Sequence, residues 1–73
     1  MTRLPSLKSK DVLRALTRGG FCVDHQTGSH VVLRHPDGRR ALLAMHARDL
    51  KRGTLLGVIK QAGYTAEEFI KLL

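Results

Sequence analysis

Apolar positions divide the chain into segments of different period. Val12, Leu13 and Leu16 recur at helical spacing, and Ser9 stands where a helix N-cap is expected. Gly19 and Gly20 end that helix, with Phe21 placed to pack back on it. The period then drops to two. Phe21 to His25 and Ser29 to His35 alternate, with Phe21 and Val23 on one face of the first stretch and Val31 and Leu33 on one face of the second. A third stretch, Arg40 to Met45, puts Ala41, Leu43 and Met45 on one side. After a basic connection, Leu55, Leu56, Val58, Ile59 and Ala62 mark a second helix that Gly63 ends. Thr65 and Glu68 form a capping-box pattern ahead of Phe69, Ile70, Leu72 and Leu73, a short last helix. The expected class is α+β: helix, three antiparallel strands, helix and short C-terminal helix. Both longer helices cover one sheet face and leave the other open.

Turn residues set a strand register. His35-Pro36-Asp37-Gly38 reads as a type I turn with Gly38 in a left-handed bulge. A three-residue loop there puts His35 opposite Arg39, Leu33 opposite Ala41 and His30 opposite Ala44, with His46 diagonal to His30. A similar loop at Gln26, Thr27 and Gly28, where Gly28 supplies positive φ, puts Asp24 opposite His30. The open face is then expected to carry Cys22, Asp24, His30, Val32, Arg34, Leu42, Ala44 and His46. Two histidines, a carboxylate and an arginine on a bare sheet are a chemical constellation.

Composition narrows what such a face can do. The 73 residues suit one domain, 1–73, with 1–8 as a leader, and 42% apolar residues suffice for a thin core. Only Phe21, Phe69 and Tyr64 are aromatic, which argues against a base-stacking platform. A lone Cys22 forms no internal disulfide and suits a reducing compartment. Nothing approaches a signal-peptide core or a membrane span, so a cytoplasmic location is expected. Thirteen Lys and Arg against six Asp and Glu give a net charge of +7, a field that favours polyanions: nucleic acid, an anionic surface or an acidic protein.

Several chemistries drop out. The four histidines show no ligand spacing and Cys22 stands alone, so no metal site is expected. No Gly-rich phosphate loop opens a helix after a strand, and no small-molecule cofactor is expected. Ser29 and His30 are adjacent on a strand and point to opposite faces, so they are not a nucleophile–base pair. RNA cleavage needs less: the 2′-hydroxyl already lies beside the scissile phosphate, and the protein supplies a base, an acid and cationic stabilisation. Imidazole serves as either acid or base. Arg34, or Lys51 and Arg52 at the entrance to the second helix, are candidate phosphate ligands. Taken alone, each of these residues also reads as an ordinary surface group.

The ordered set Gly28-Ser29-His30, His35-Pro36-Asp37-Gly38-Arg39, His46, Gly53-Thr54-Leu55 and Ile59-Lys60-Gln61-Ala62-Gly63 resembles the HicA toxins of bacterial and archaeal toxin–antitoxin pairs. The likeness extends over nearly everything from Ser9 onward. Val31 stands where family members often carry a second His, and Ala44 where many have Pro. The resemblance implies a double-stranded-RNA-binding-domain-like fold, metal-independent cleavage of mRNA and neutralisation by a HicB-type antitoxin. It maps the catalytic histidine onto His30, with Gly28 shaping the loop that presents it. Asp24 and His46 are then candidate auxiliaries, the first to orient the His30 ring and the second as a complementary proton carrier. Two alternatives stay open: a non-catalytic RNA-binding module of the same fold, and a basic DNA-binding regulator. Against the regulator, three strands separate the two longer helices, where a helix-turn-helix has a short turn.

Overall fold

The computed structural model describes residues 3–73. Its elements are α1 (Ser9–Arg18), β1 (Cys22–Thr27), β2 (His30–Arg34), β3 (Arg40–Ala44), α2 (Arg52–Gln61) and α3 (Ala66–Ile70). This is the expected α+β order, with an antiparallel sheet in the order β1-β2-β3. Val31 and Leu33 of β2 and Ala41 and Leu43 of β3 are buried with Val12, Ala15 and Leu16 of α1, Leu55, Val58 and Ile59 of α2 and Phe69 of α3. Alternation at period two in the strands and 3.6 in the helices brings those side chains to one shared core. Among the described residues, no helix is long and apolar enough to cross a membrane.

Several helix ends follow from local chemistry, and the start of α1 departs from the expectation. Ser9 is not the N-cap of α1; Lys8 is, and its N–H donates to the Asp11 carboxylate at 3.0 Å. Ser9 is the first helical residue and fully buried: its hydroxyl donates to the Ala44 carbonyl at 2.7 Å and accepts from the His46 N–H at 3.1 Å. A residue type that ordinarily caps its own helix here ties α1 to the end of β3. At the other end of α1, Gly20 takes φ +101° and the Phe21 N–H returns to the Leu16 carbonyl, which turns the buried Phe21 ring back under the helix. The capping box of α3 forms as expected: Thr65 Oγ1 accepts from the Glu68 N–H, and the Glu68 carboxylate accepts from the Thr65 N–H. Residues ahead of α1 join the core through buried Leu7 and partly buried Leu4, and the Leu50 N–H donates to the Leu7 carbonyl.

The β2–β3 hairpin has the expected register. His30 pairs with Ala44 and Leu33 with Ala41, and the His35 N–H bonds the Arg39 carbonyl across a turn in which Gly38 has φ +99°. The β1–β2 hairpin does not. Its loop is Gly28-Ser29 alone, with Thr27 paired to His30, and Gly28 at φ +57° occupies the first loop position, where a II′ turn needs positive φ. A β-bulge between Val23 and His25 then makes Asp24 the extra residue. Asp24 is therefore not opposite His30: His25 lies across from Val32, and Thr27 takes the place next to His30. The helices also stop short of β1. All six of its residues are exposed, including Val23 at 52% despite its register opposite the buried Leu33.

Candidate active site on the open sheet face

Residues of one parity share the uncovered face: Cys22, His25 and Thr27 on β1, His30, Val32 and Arg34 on β2, and Arg40, Leu42 and Ala44 on β3. Leu42 remains 47% exposed, and its outward N–H is taken by the Gln61 side chain of α2 at 3.0 Å. That bond blunts a sheet edge otherwise open to pairing. His30 begins β2 immediately after the Gly28-Ser29 loop, and its side chain is exposed.

Beside His30's partner Ala44 lies a cleft of about 610 Å³, formed where β3 runs into the connection to α2. Ala44, His46, Arg48, Leu50, Lys51 and Thr54 are among its lining residues, so an apolar floor is rimmed by groups that can meet phosphate. Ser9 underpins this rim, because its hydroxyl holds both the Ala44 carbonyl and the His46 N–H. His30, His46 and Lys51 thus gather at one end of the sheet. Arg52, adjacent to Lys51 in sequence, borders a separate recess with Leu4, Pro5 and Ser6. Arg34 lies four residues along β2 from His30, about 13 Å at the usual strand rise. It borders Asp24, not the cleft.

Asp24 is engaged away from His30. Its carboxylate accepts from His25 Nδ1 at 2.8 Å and lies 3.8 Å from Arg34 Nε. The His25 hydrogen bond, aided by the positive charges of Arg34 and Arg40, holds the Asp24 carboxyl below its ordinary value. The expected pairing of Asp24 with His30 is replaced by a pairing with His25. Sequence alternation cannot reveal this, because the bulge that shifts parity leaves no local residue signature here.

His35 belongs to the core's rim. Its ring packs edge-on against Phe21, Nε2–H donates to the Gly19 carbonyl at 3.1 Å, and Nδ1 accepts from the Asp37 N–H. Arg39 is equally committed. Nη1 donates to the Ala62 carbonyl at 2.8 Å, Nε pairs with Asp37, and the guanidinium lies over both Phe21 and Tyr64. Arg39's bonds hold the Asp37 carboxyl below its usual range. Among the described residues, no group of three His, Cys, Asp or Glu side chains is placed to hold a metal ion.

Comparison with known proteins gives the chain a family. The family model described as the HicA toxin of bacterial toxin–antitoxin systems matches residues 9–64, from the start of α1 to just past α2. No curated protein matches the chain significantly.

Proposed function

The chain belongs to the HicA family of bacterial toxin–antitoxin systems, and from that membership we propose that it is a metal-independent endoribonuclease that cleaves mRNA through His30. The observation that carries the reading is the position of His30: exposed on the uncovered sheet face, presented by the Gly28 turn, and bordering a basic cleft through Ala44. RNA lies across that face with its scissile phosphate at His30. The imidazole takes the 2′-hydroxyl proton, the 2′-oxygen attacks phosphorus, and the negative charge that builds on the phosphorane is met by Lys51 from the cleft. The substrate carries its own nucleophile, so no bound metal is needed to activate water. Arg34, too distant for the same phosphate, holds a neighbouring one, and Arg52 flanks the path beyond the cleft. His46 lines the pocket into which the flanking nucleotide fits.

A toxin–antitoxin family implies an antitoxin partner. We assign this role to a HicB-type protein with an acidic surface, which complements the +7 charge and covers His30 in competition with RNA. The setting is the cytoplasm, where mRNA and antitoxin are both present. Induced expression of the chain without its antitoxin arrests growth and depletes bulk mRNA; co-expression of the antitoxin restores both. The His30→Ala protein folds and is harmless. A His30→Ala protein as toxic as the parent overturns the assignment, and one that still binds RNA but cuts nothing separates catalysis from mere binding.

A further inference from the structure

In-line transfer to the 2′-oxygen needs two proton carriers. The attacking 2′-oxygen and the departing 5′-oxygen lie on opposite sides of phosphorus, so a single imidazole cannot serve both at once. We propose, resting on the assignment of His30 as base, that the acid is His25, with Asp24 as its positioning residue.

Three observations place His25 in that role. The β1 bulge puts His25 across from Val32 and Thr27 across from His30, so His25 and His30 share the open face as diagonal neighbours. Such a diagonal spans about 7–8 Å between backbones, within reach of aromatic-sized side chains, and leaves room for a phosphodiester between the rings. The second observation is orientation. Asp24 Oδ2 accepts from Nδ1 of His25 at 2.8 Å, which fixes the ring and leaves Nε2 as the nitrogen available to a substrate. Third, Arg34 Nε on the neighbouring strand lies 3.8 Å from the same carboxylate and adds a long-range attraction that keeps it on this side of the sheet. His46, by comparison, is anchored through its backbone N–H to Ser9 and lies in the cleft on the β3 side.

The step balances without any further reactant. His30 receives the 2′-hydroxyl proton as the bond from the 2′-oxygen to phosphorus forms. The bond from phosphorus to the 5′-oxygen breaks, its electron pair stays with that oxygen, and His25 Nε2 supplies the proton. The products are a 2′,3′-cyclic phosphate and a 5′-hydroxyl. His30 ends protonated and His25 neutral, and exchange with water restores both.

The test uses an oligoribonucleotide spanning a bond mapped as a wild-type cut site, and the same oligonucleotide with a bridging 5′-sulfur at that bond. A thiolate leaves without protonation, so loss of the acid is forgiven there and loss of the base is not. His25→Ala is expected to lose roughly 10²- to 10⁴-fold on the ordinary bond and to stay within about tenfold of wild type on the sulfur-bridged one. His30→Ala loses both. The groups facing His25 are Asp24 on its own strand, Arg34 and His30 on β2 and Arg40 on β3. Asp24→Asn loses the carboxylate that holds the His25 ring, so it is expected to slow cleavage of the ordinary bond and to recover on the sulfur-bridged one. A merely structural defect would slow both substrates alike.

Equal losses on the two substrates, or His25→Ala cleaving the ordinary bond at the wild-type rate, overturn the proposal. Selective rescue of His46→Ala in its place gives the acid role to His46 and also overturns it. Full activity of His30→Ala overturns the base assignment, and His25 then stands or falls on its own two rates. Purified wild-type protein that cuts no RNA, so that no cut site can be mapped, refutes both.

Discussion

Ser9 is the side chain whose removal has the most calculable consequence. It is fully buried at the start of α1, and its single hydroxyl serves two backbone groups of the β3 exit, donating to the Ala44 carbonyl and accepting from the His46 N–H. Ser9→Ala leaves both without a partner at a position from which the hydroxyl excluded water. A buried polar group left unpaired costs about 1–3 kcal/mol. Because His46 itself is exposed, water can partly replace its bond, and we take the sum as about 2 kcal/mol for the pair. A domain of this size has a total stability of only about 4–11 kcal/mol at the usual per-residue values. The loss is therefore a large fraction of it, equivalent to a fall in Tm of about 8–16 °C. Thermal unfolding followed by circular dichroism measures that fall. Amide hydrogen exchange supplies the residue-specific check, since the His46 amide loses its protection in the variant. A fall in Tm below about 2 °C, well short of that expected range, with the His46 amide still protected would refute the argument.

Arg39→Ala removes the bond to the Ala62 carbonyl and the cation–π interactions with Phe21 and Tyr64. It is expected to cost about 2–3 kcal/mol in urea unfolding while leaving the salt dependence of RNA binding unchanged; a flattened salt slope at unchanged stability would make Arg39 an RNA ligand instead. Reversing the charges of Lys51 and Arg52 flattens that slope without lowering stability, because phosphates that the protein no longer neutralises keep their counterions, and an unchanged slope moves the RNA track elsewhere. Acid should lower the stability in part through the exposed carboxyls of Asp24, Asp37 and Glu68. Their carboxyls are held below the ordinary value by bonds from His25, from the Arg39 backbone and from the Thr65 backbone respectively. The stability they contribute is complete above the ordinary carboxylate range and is lost as pH falls through their lower folded values. Unfolding curves from neutral to strongly acidic pH check this, and the acid-induced loss is smaller in Glu68→Gln.

Elements whose signals are local are readable from the chain. The turn at Pro36-Asp37-Gly38 fixes the β2–β3 register through residues adjacent in sequence, and with it the place of His30 opposite Ala44. Gly63 ends α2 and Thr65 starts α3 for similarly local reasons. What alternation misreads depends on distant neighbours. Ser9 has the composition of a cap, but a β3 carbonyl 35 residues away competes for its hydroxyl and wins. Arg39 stands beside Arg40 in a basic pair that alternation does not distinguish, yet packing over Phe21 and Tyr64 makes it structural. The β1 bulge is the most consequential case. One extra residue shifts parity, takes Asp24 from His30 and gives it to His25, so a histidine with no motif around it acquires an oriented ring.

Among the properties of the chain, the chemistry assigned to His30 is the central claim, and the ends of its RNA products test it most directly. Purified wild-type protein, incubated with RNA in excess EDTA, should leave 2′,3′-cyclic phosphates and 5′-hydroxyls, and His30→Ala should leave the RNA intact. RNA with 2′-O-methyl groups at the cut sites should resist cleavage, since its nucleophile is blocked. Products ending in 3′-hydroxyl and 5′-phosphate, or cleavage that stops in EDTA and returns with Mg²⁺, would contradict the account.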